Sequence, residues 1–180
     1  MISARSRRIA IVVVAVFAVC MLAVRAYRWI APHSAPRLAR VQSYEPGSVA
    51  VERYPYFCTD VRDGDTIVVR SLGPVRLIGI DTPEMNYDIG VPQPFAEEAR
   101  LLCKRLVYRK PVSLEFDEVK RDKYGRALAY VFVGDTFLNA ELVKAGLART
   151  YNFPPNERYM HKFKSIERNA KRDRLGLWAE

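Results

Sequence analysis

Four short clusters hold the side chains of this chain that could do chemistry. They are Asp63-Gly64-Asp65-Thr66; Arg76-Leu77-Ile78-Gly79-Ile80-Asp81-Thr82-Pro83-Glu84; Asp122-Lys123-Tyr124-Gly125-Arg126; and Tyr151-Asn152-Phe153-Pro154-Pro155. A hard divalent cation wants several oxygen ligands, and carboxylates on loops and strand ends supply them. Asp65 at a hairpin end and Asp81 at a strand end are donors of that kind. Taken alone, Asp-Gly is a turn pair, and Asp-Thr-Pro-Glu serves equally well as a helix cap or a loop. Arg76 lies inside an apolar strand pattern, where an unpaired charge is costly. It needs a carboxylate partner or an anionic ligand. Phosphoryl transfer gathers charge on the equatorial oxygens, which fixed arginine forks neutralise, so a phosphate and a structural salt bridge are both open. Arg76 and Asp81 are five residues apart, and strict alternation puts them on opposite faces of a strand. If they serve one site, the strand ends or bends between them, and Gly79 permits the bend.

The elements that must position these residues are short. Strands are expected over residues 49–61, 66–70, 75–80, 112–116 and 127–133, with Asp63-Gly64 and Gly73-Pro74 as turns. Residues 83–94 read as a proline-rich loop. Pro94 suits the first position of a helix whose first turn holds Glu97 and Glu98, and Phe95, Ala99, Leu102 and Leu106 recur at helical spacing. Asn139 can cap a short helix that Gly146 stops. A last helix is expected over residues 157–172, with Phe163, Ile166 and Ala170 on one stripe. Five short strands with interspersed helices suit a small, partly open barrel. There is no internal repeat and no low-complexity stretch.

The 180 residues carry a net charge of +9, unevenly spread. Residues 1–50 hold seven Arg and one acid, Glu45, whereas the remaining 130 residues hold 22 basic and 19 acidic groups. The globular part is therefore nearly balanced, which excludes a broad polybasic surface of the kind that grips duplex DNA non-specifically. Residues 9–24 are sixteen apolar residues in a row, with Arg5, Arg7 and Arg8 before them and Arg25 and Arg28 after. Snorkelling of Arg25, with Tyr27 and Trp29 at the interface, extends the span towards residue 30. The alternative is a cleaved signal peptide, but Val24-Arg25-Ala26 matches the small-x-small cleavage pattern poorly. Residues 1–30 are thus read as a membrane anchor or signal segment, 31–48 with its three prolines as a tether, and 49–180 as the folded domain. Both readings of the first segment send the domain out of the cytoplasm. Cys58 and Cys103 are read as two buried thiols, or as a disulfide if the compartment oxidises them.

Taken together and in order, the clusters resemble the staphylococcal nuclease (thermonuclease) family. Asp-Gly-Asp-Thr, then Arg-Leu-Ile-Gly-Ile-Asp-Thr-Pro-Glu, then Asp-Lys-Tyr-Gly-Arg-Ala-Leu-Ala-Tyr are similar to its motifs and their spacings. So are Leu-Asn-Ala-Glu-Leu-Val-Lys-Ala-Gly-Leu-Ala (138–148) and the closing Leu-Gly-Leu-Trp-Ala-Glu (175–180). The resemblance covers residues 54–180 and implies an OB-fold: a five-stranded β-barrel with three helices, α+β in class. It implies a nuclease that cuts DNA and possibly RNA with Ca2+, leaving 3′-phosphate ends. Asp65 and Asp81 match the calcium-ligating aspartates, and Thr82 adds its backbone carbonyl. Glu84 matches the general base or water-orienting group, and Arg76 and Arg126 match the arginines at the scissile phosphate. Lys123, Tyr124 and Tyr151 match nucleotide-contacting positions. Phe153 stands where the family has a second tyrosine, so stacking is kept and a hydroxyl is lost. Residues 85–94 depart from the family's loop. The alternative function is a catalytically weak nucleic-acid-binding module displayed at a membrane, which should have lost at least one of these five groups: Asp65, Asp81, Glu84, Arg76 or Arg126. A local cluster of Lys120, Arg121, Lys123 and Arg126 with Tyr124, Tyr151 and Phe153 favours single-stranded substrate. The domain is expected to be a monomer, with no obligate protein partner.

Overall fold

The computed structural model describes residues 53–179. The expected anchor (1–30) and tether (31–48) lie outside the described residues. Among the described residues no helix is long and apolar enough to cross a membrane.

Strand β1 (Arg53–Asp63) is long because it serves two partners. Its first half pairs antiparallel with β5 (Pro111–Glu115), and its second half with β2 (Thr66–Val69). Register shifts between Cys58 and Asp60 and between Val61 and Asp63 bend it from one partner to the other, as bulges do. Strand β3 (Gly73–Leu77) hairpins back on β2, then pairs in parallel with β6 (Ala127–Val133), which returns to β5. This parallel pairing closes a five-stranded barrel in the order β1-β2-β3-β6-β5. Strand β7 (Thr136–Phe137) lengthens the sheet beside β6, and β4 (Ile80–Asp81) forms a separate two-stranded ribbon with β8 (Arg149–Thr150). The fold is the expected OB-type barrel.

Strand β6 is buried along nearly its whole length, which its unbroken apolar run Ala-Leu-Ala-Tyr-Val-Phe-Val requires of a strand covered on both faces. Ile67, Val75, Leu77, Leu114 and Val131 are buried with it in a core that also takes in Leu142 and Phe163 from two helices. Helix α1 (Ala96–Val107) packs on β1 through Ala96, Ala99, Cys103 and Val107. The stripe is rotated from the expected one. Small residues line the contact, so the helix axis sits close to the barrel, while Leu102 and Leu106 flank it half-buried. Pro94 is not its first helical residue, because Phe95 has φ 68 and breaks the helical path before Ala96. Helix α2 (Leu138–Lys144) runs up to Ala145, and Gly146 ends it, as expected. Asn139 does not cap it, however. Its side chain is buried and bonds outside the helix, to Val131 N (3.0 Å) and Ile78 O (2.9 Å). Helix α3 (Met160–Arg172) buries Phe163 and Ala170, and a 3-10 turn (Gly176–Trp178) follows. Cys58 and Cys103 are both buried free thiols; burial raises the Cys58 pKa to about 11.

Candidate active site

The β1–β2 turn delivers the first acids. Asp65 is buried and its oxygens are all engaged. Its carbonyl accepts Leu77 N–H at 2.8 Å, Oδ2 accepts Thr82 N–H at 2.8 Å, and Oδ1 accepts the Thr66 hydroxyl at 3.1 Å. Asp65 thus fixes the end of β3 through its main-chain carbonyl and the Thr82 backbone through its carboxylate. Gly64 has to be glycine for space: a Cβ there would lie 2.7 Å from the Ala99 methyl and 2.8 Å from Thr82 Cγ2.

The second acid arrives through the bend that the spacing demanded. Strand β3 ends at Leu77, the chain turns at Ile78-Gly79, and β4 carries Asp81 back to the same side as Arg76. Gly79 takes φ +79, and a Cβ on it would lie 2.6 Å from the Phe163 ring, so both backbone and packing exclude a side chain. Arg76 then bridges the two aspartates. Its Nη2 donates to Asp81 Oδ1 at 2.5 Å, and its Nη1 lies against the Asp65 carboxylate as an ion pair without hydrogen-bond alignment.

Acids outnumber this one arginine. Asp63, Asp81 and Glu84 all feel the charge of Asp65. Burial raises the Asp81 pKa; Arg76 pulls it back, and Asp65 raises it further. Burial and then the charge of Asp65 raise Asp63. Glu84 stands at the rim, where partial loss of hydration and then the charges of Asp65 and Asp63 raise its pKa. A cation placed here would relieve all three. Thr82 Oγ1 is buried beside Gly64 with no hydrogen-bond partner among the described residues. Among the described residues no three His, Cys, Asp or Glu form a ready ligand cluster. The donors gathered here are carboxylate oxygens, which suit a hard ion and not a soft metal.

Glu84 is held by a residue whose role the sequence did not disclose. Gln93 Oε1 accepts Glu84 N–H at 3.0 Å, and Gln93 N–H donates to Glu84 O at 3.0 Å, closing the loop between them. The Tyr87 hydroxyl donates to Arg62 O at 2.6 Å and ties the same loop to β1. Nothing in a proline-rich loop sequence signals such a clamp, because both partners are backbone atoms of a distant residue.

Arg126 comes from a tight loop before β6. The Asp122 carboxylate accepts Tyr124 N–H and Arg126 N–H at 2.9 Å each and Arg126 Nε at 2.7 Å. The terminal amino groups of Arg126 have no protein partner among the described residues. In the parallel register Arg76 faces Leu128, so the loop that carries Arg126 enters β6 beside the strand that carries Arg76. Lys123 and Tyr124 are exposed at the loop tip, with Lys123 Nζ 5.0 Å and Arg126 Cζ 5.6 Å from the Tyr124 ring centre. Arg121 donates to Gly125 O at 2.8 Å and is committed to the loop, while Lys120 is exposed. Tyr151 is joined to the site bend through its N–H to Gly79 O at 3.0 Å, and its half-exposed ring lies 6.2 Å from that of Phe153. Asn156, buried, bonds Val119 N (2.8 Å) and Val119 O (2.7 Å), which ties this aromatic loop to the segment leading into the Arg126 loop.

A closed five-stranded barrel of this order, with Asp65, Arg76 and Asp81 joined where β2, β3 and β4 meet, is the architecture of an OB-fold phosphodiester hydrolase. The family model described as "Staphylococcal nuclease homologue" matches residues 74–180. Thermonuclease of Staphylococcus intermedius is 38% identical over 138 residues, covering 75% of this chain and 82% of that protein. Thermonuclease of Staphylococcus hyicus is 38% identical over 122 residues, 66% of this chain and 72% of that one. Endonuclease YncB of Bacillus subtilis (strain 168) is 42% identical over 123 residues, 66% of this chain and 58% of that one. The chain belongs to the staphylococcal nuclease family and is a nuclease, an enzyme that hydrolyses the phosphodiester bonds of nucleic acid.

Proposed function

We propose that this nuclease is a calcium-dependent endonuclease that cuts DNA and RNA to 3′-phosphate and 5′-hydroxyl ends. The observation that carries this reading is the convergence of Asp65 and Asp81 on Arg76 inside an excess of acids. Asp65, Asp81 and the Thr82 carbonyl would hold the ion, which would supply positive charge beside the phosphate oxygens. Glu84 takes a proton from the attacking water. The water oxygen bonds to phosphorus in line with the 5′-oxygen, the phosphorus–5′-oxygen bond breaks, and the departing oxygen is protonated from solvent. Arg126, with its terminal amino groups free, and Arg76 face the charge that builds on the equatorial oxygens. Lys123 contacts a neighbouring phosphate, and Tyr124, Tyr151 and Phe153 offer ring faces to unpaired bases, which favours single strands. The 1–30 segment would anchor the domain, as a monomer, on the non-cytoplasmic side of a membrane.

A gel activity assay with calcium, with excess chelator, and with Glu84→Gln tests the reading. Activity should vanish with chelator and return with calcium. Glu84→Gln should cut turnover about 10²–10³-fold in a folded protein, the usual cost of one such group. Full activity in chelator, or near-normal turnover of the variant, refutes it. Fractionation tests the anchor: mature protein beginning near residue 27 would show a cleaved signal instead.

A further inference from the structure

A groove of about 580 Å³ opens beside Asp81 and Thr82. Pro83, Gln93 and Phe95 line it together with Arg149 and Leu177. None of Lys123, Tyr124, Arg126, Tyr151 or Phe153 lines it, so it is a surface additional to the set that would grip the substrate.

Its one cation is unusually placed. Arg149 pairs with Asp81 in the β4–β8 ladder, and directly opposed residues of an antiparallel pair project to the same side. The guanidinium nevertheless forms no salt bridge with Asp81 or with any other described acid. It stacks on the Trp178 ring, Cζ 4.4 Å from the ring centre, and Lys171 Nζ lies 4.3 Å from the same ring. Stacking orients a planar guanidinium and leaves its in-plane N–H donors free, the state in which arginine takes a phosphate by its fork. Pro83, Phe95 and Leu177 add apolar surface suited to a sugar or base, and Gln93, whose Oε1 is taken by Glu84 N–H, adds its amide NH2. Asp81 is the groove's only acid, and it is already engaged by Arg76.

We infer that this groove is a second nucleotide subsite. It receives a nucleotide next to the scissile phosphate, with Arg149 binding the adjacent phosphodiester. The inference rests on the calcium-nuclease reading and adds to it a substrate contact outside the matched motifs. It gives the enzyme a reason to prefer a chain over a single phosphodiester: only a strand fills the groove and reaches the scissile phosphate at once.

The test compares two substrates in calcium: a minimal one, a nucleoside joined to nitrophenol through one phosphodiester, and a single-stranded oligonucleotide. Wild type, Arg149→Lys and Arg149→Gln are each assayed on both. The expected result for Arg149→Gln is a fall of about tenfold in kcat/KM on the oligonucleotide, mostly through KM, as for loss of one charged hydrogen bond. The minimal substrate should be cut as before. The salt dependence on the oligonucleotide should also weaken, by about 0.7 in log–log slope for one single-strand phosphate contact. Arg149→Lys, which keeps the charge, should lie between. The ratio of the two activities within one variant does not depend on how much of it is folded, so a loosened Trp178 stack cannot imitate the result. Equal loss on both substrates, or an unchanged ratio and slope, overturns the subsite. Wild type that cuts neither substrate in calcium overturns the nuclease reading beneath it instead.

Discussion

Asn139 is the residue on which barrel closure and site geometry depend together, and its removal has a calculable cost. Its amide accepts from Val131 N–H in β6 and donates to Ile78 O, one residue before the Gly79 bend that brings Asp81 to Arg76. The side chain is fully buried, so Asn139→Ala leaves one backbone donor and one acceptor without partner or water. Each such orphan costs about 1–3 kcal/mol. A total of about 3 kcal/mol, against an unfolding entropy of about 2.1 cal/mol/K per residue over about 130 residues, lowers Tm by roughly 10 °C. Calorimetry or urea unfolding followed by circular dichroism would measure it. Asn139→Asp sharpens the argument. At neutral pH the new carboxylate still accepts from Val131 N–H but faces the Ile78 carbonyl with no proton to donate. Burial and that carbonyl raise its folded pKa above the unfolded value of about 3.9. A group so raised contributes stability that is present below the unfolded pKa and lost as pH rises through the folded one. The Asp variant should therefore match the Ala variant at pH 7 and recover towards wild type in acid. An Ala variant within about 1 kcal/mol of wild type would refute the reasoning, as would an Asp variant that gains nothing on acidification.

Three further outcomes follow from other contacts. Burial pushes the Asp122 carboxyl up, but the Arg126 side chain and backbone N–H and the Tyr124 N–H outweigh this and hold its pKa below the ordinary value. Its contribution is thus present above about pH 4 and lost as pH falls through the depressed pKa. Asp122→Asn should lose about 1 kcal/mol at pH 7 and converge with wild type in strong acid, by urea midpoints at both pH values, and a constant gap would refute it. Cys58, with a thiol pKa of about 11, and the more deeply buried Cys103 should resist iodoacetamide at pH 8 until urea unfolds the domain; stoichiometric labelling of the native protein would show the burial to be wrong. Single-stranded or denatured DNA should be cut faster than stable duplex, with a shallow salt dependence set by a few phosphates. Equal rates with a steep slope would place the affinity in a broader basic field.

What could be read ahead of the structure follows the range of the interaction involved. Strands β5 and β6 were legible to within a residue, since apolar and β-branched runs between turn residues act locally. The Arg76–Asp81 problem was legible as well: five residues, two faces and one glycine leave a bend as the solution, and φ +79 at Gly79 is that bend. Helix α1 was placed, but its buried stripe was rotated. Hydrophobicity favours Leu102 and Leu106, whereas close approach to β1 selects Ala96, Ala99 and Cys103. Pro94 failed as a helix start because Phe95 adopts a left-handed backbone that no propensity assigns to phenylalanine.

The side chains that hold the site in shape were the least legible, for one physical reason. Asn139 read as a helix cap because asparagine usually bonds its own neighbourhood, yet its acceptor is Ile78, 61 residues away. Gln93 grips the Glu84 backbone across nine residues, and Asn156 grips Val119 across 37. Each is a neutral amide bonded to main-chain atoms, and a main-chain atom has no residue type for a motif to record. The charged groups stood out through motif and spacing, because a charge needs a partner of opposite sign and that need leaves its mark in residue type. The amides answer only to the closed barrel. A variant that keeps every charged group but loses one of these amides should therefore fail through misplaced chemistry and not missing chemistry. Its turnover would fall while the pH at which its remaining activity appears stays that of wild type, whereas loss of Glu84 itself would change the profile.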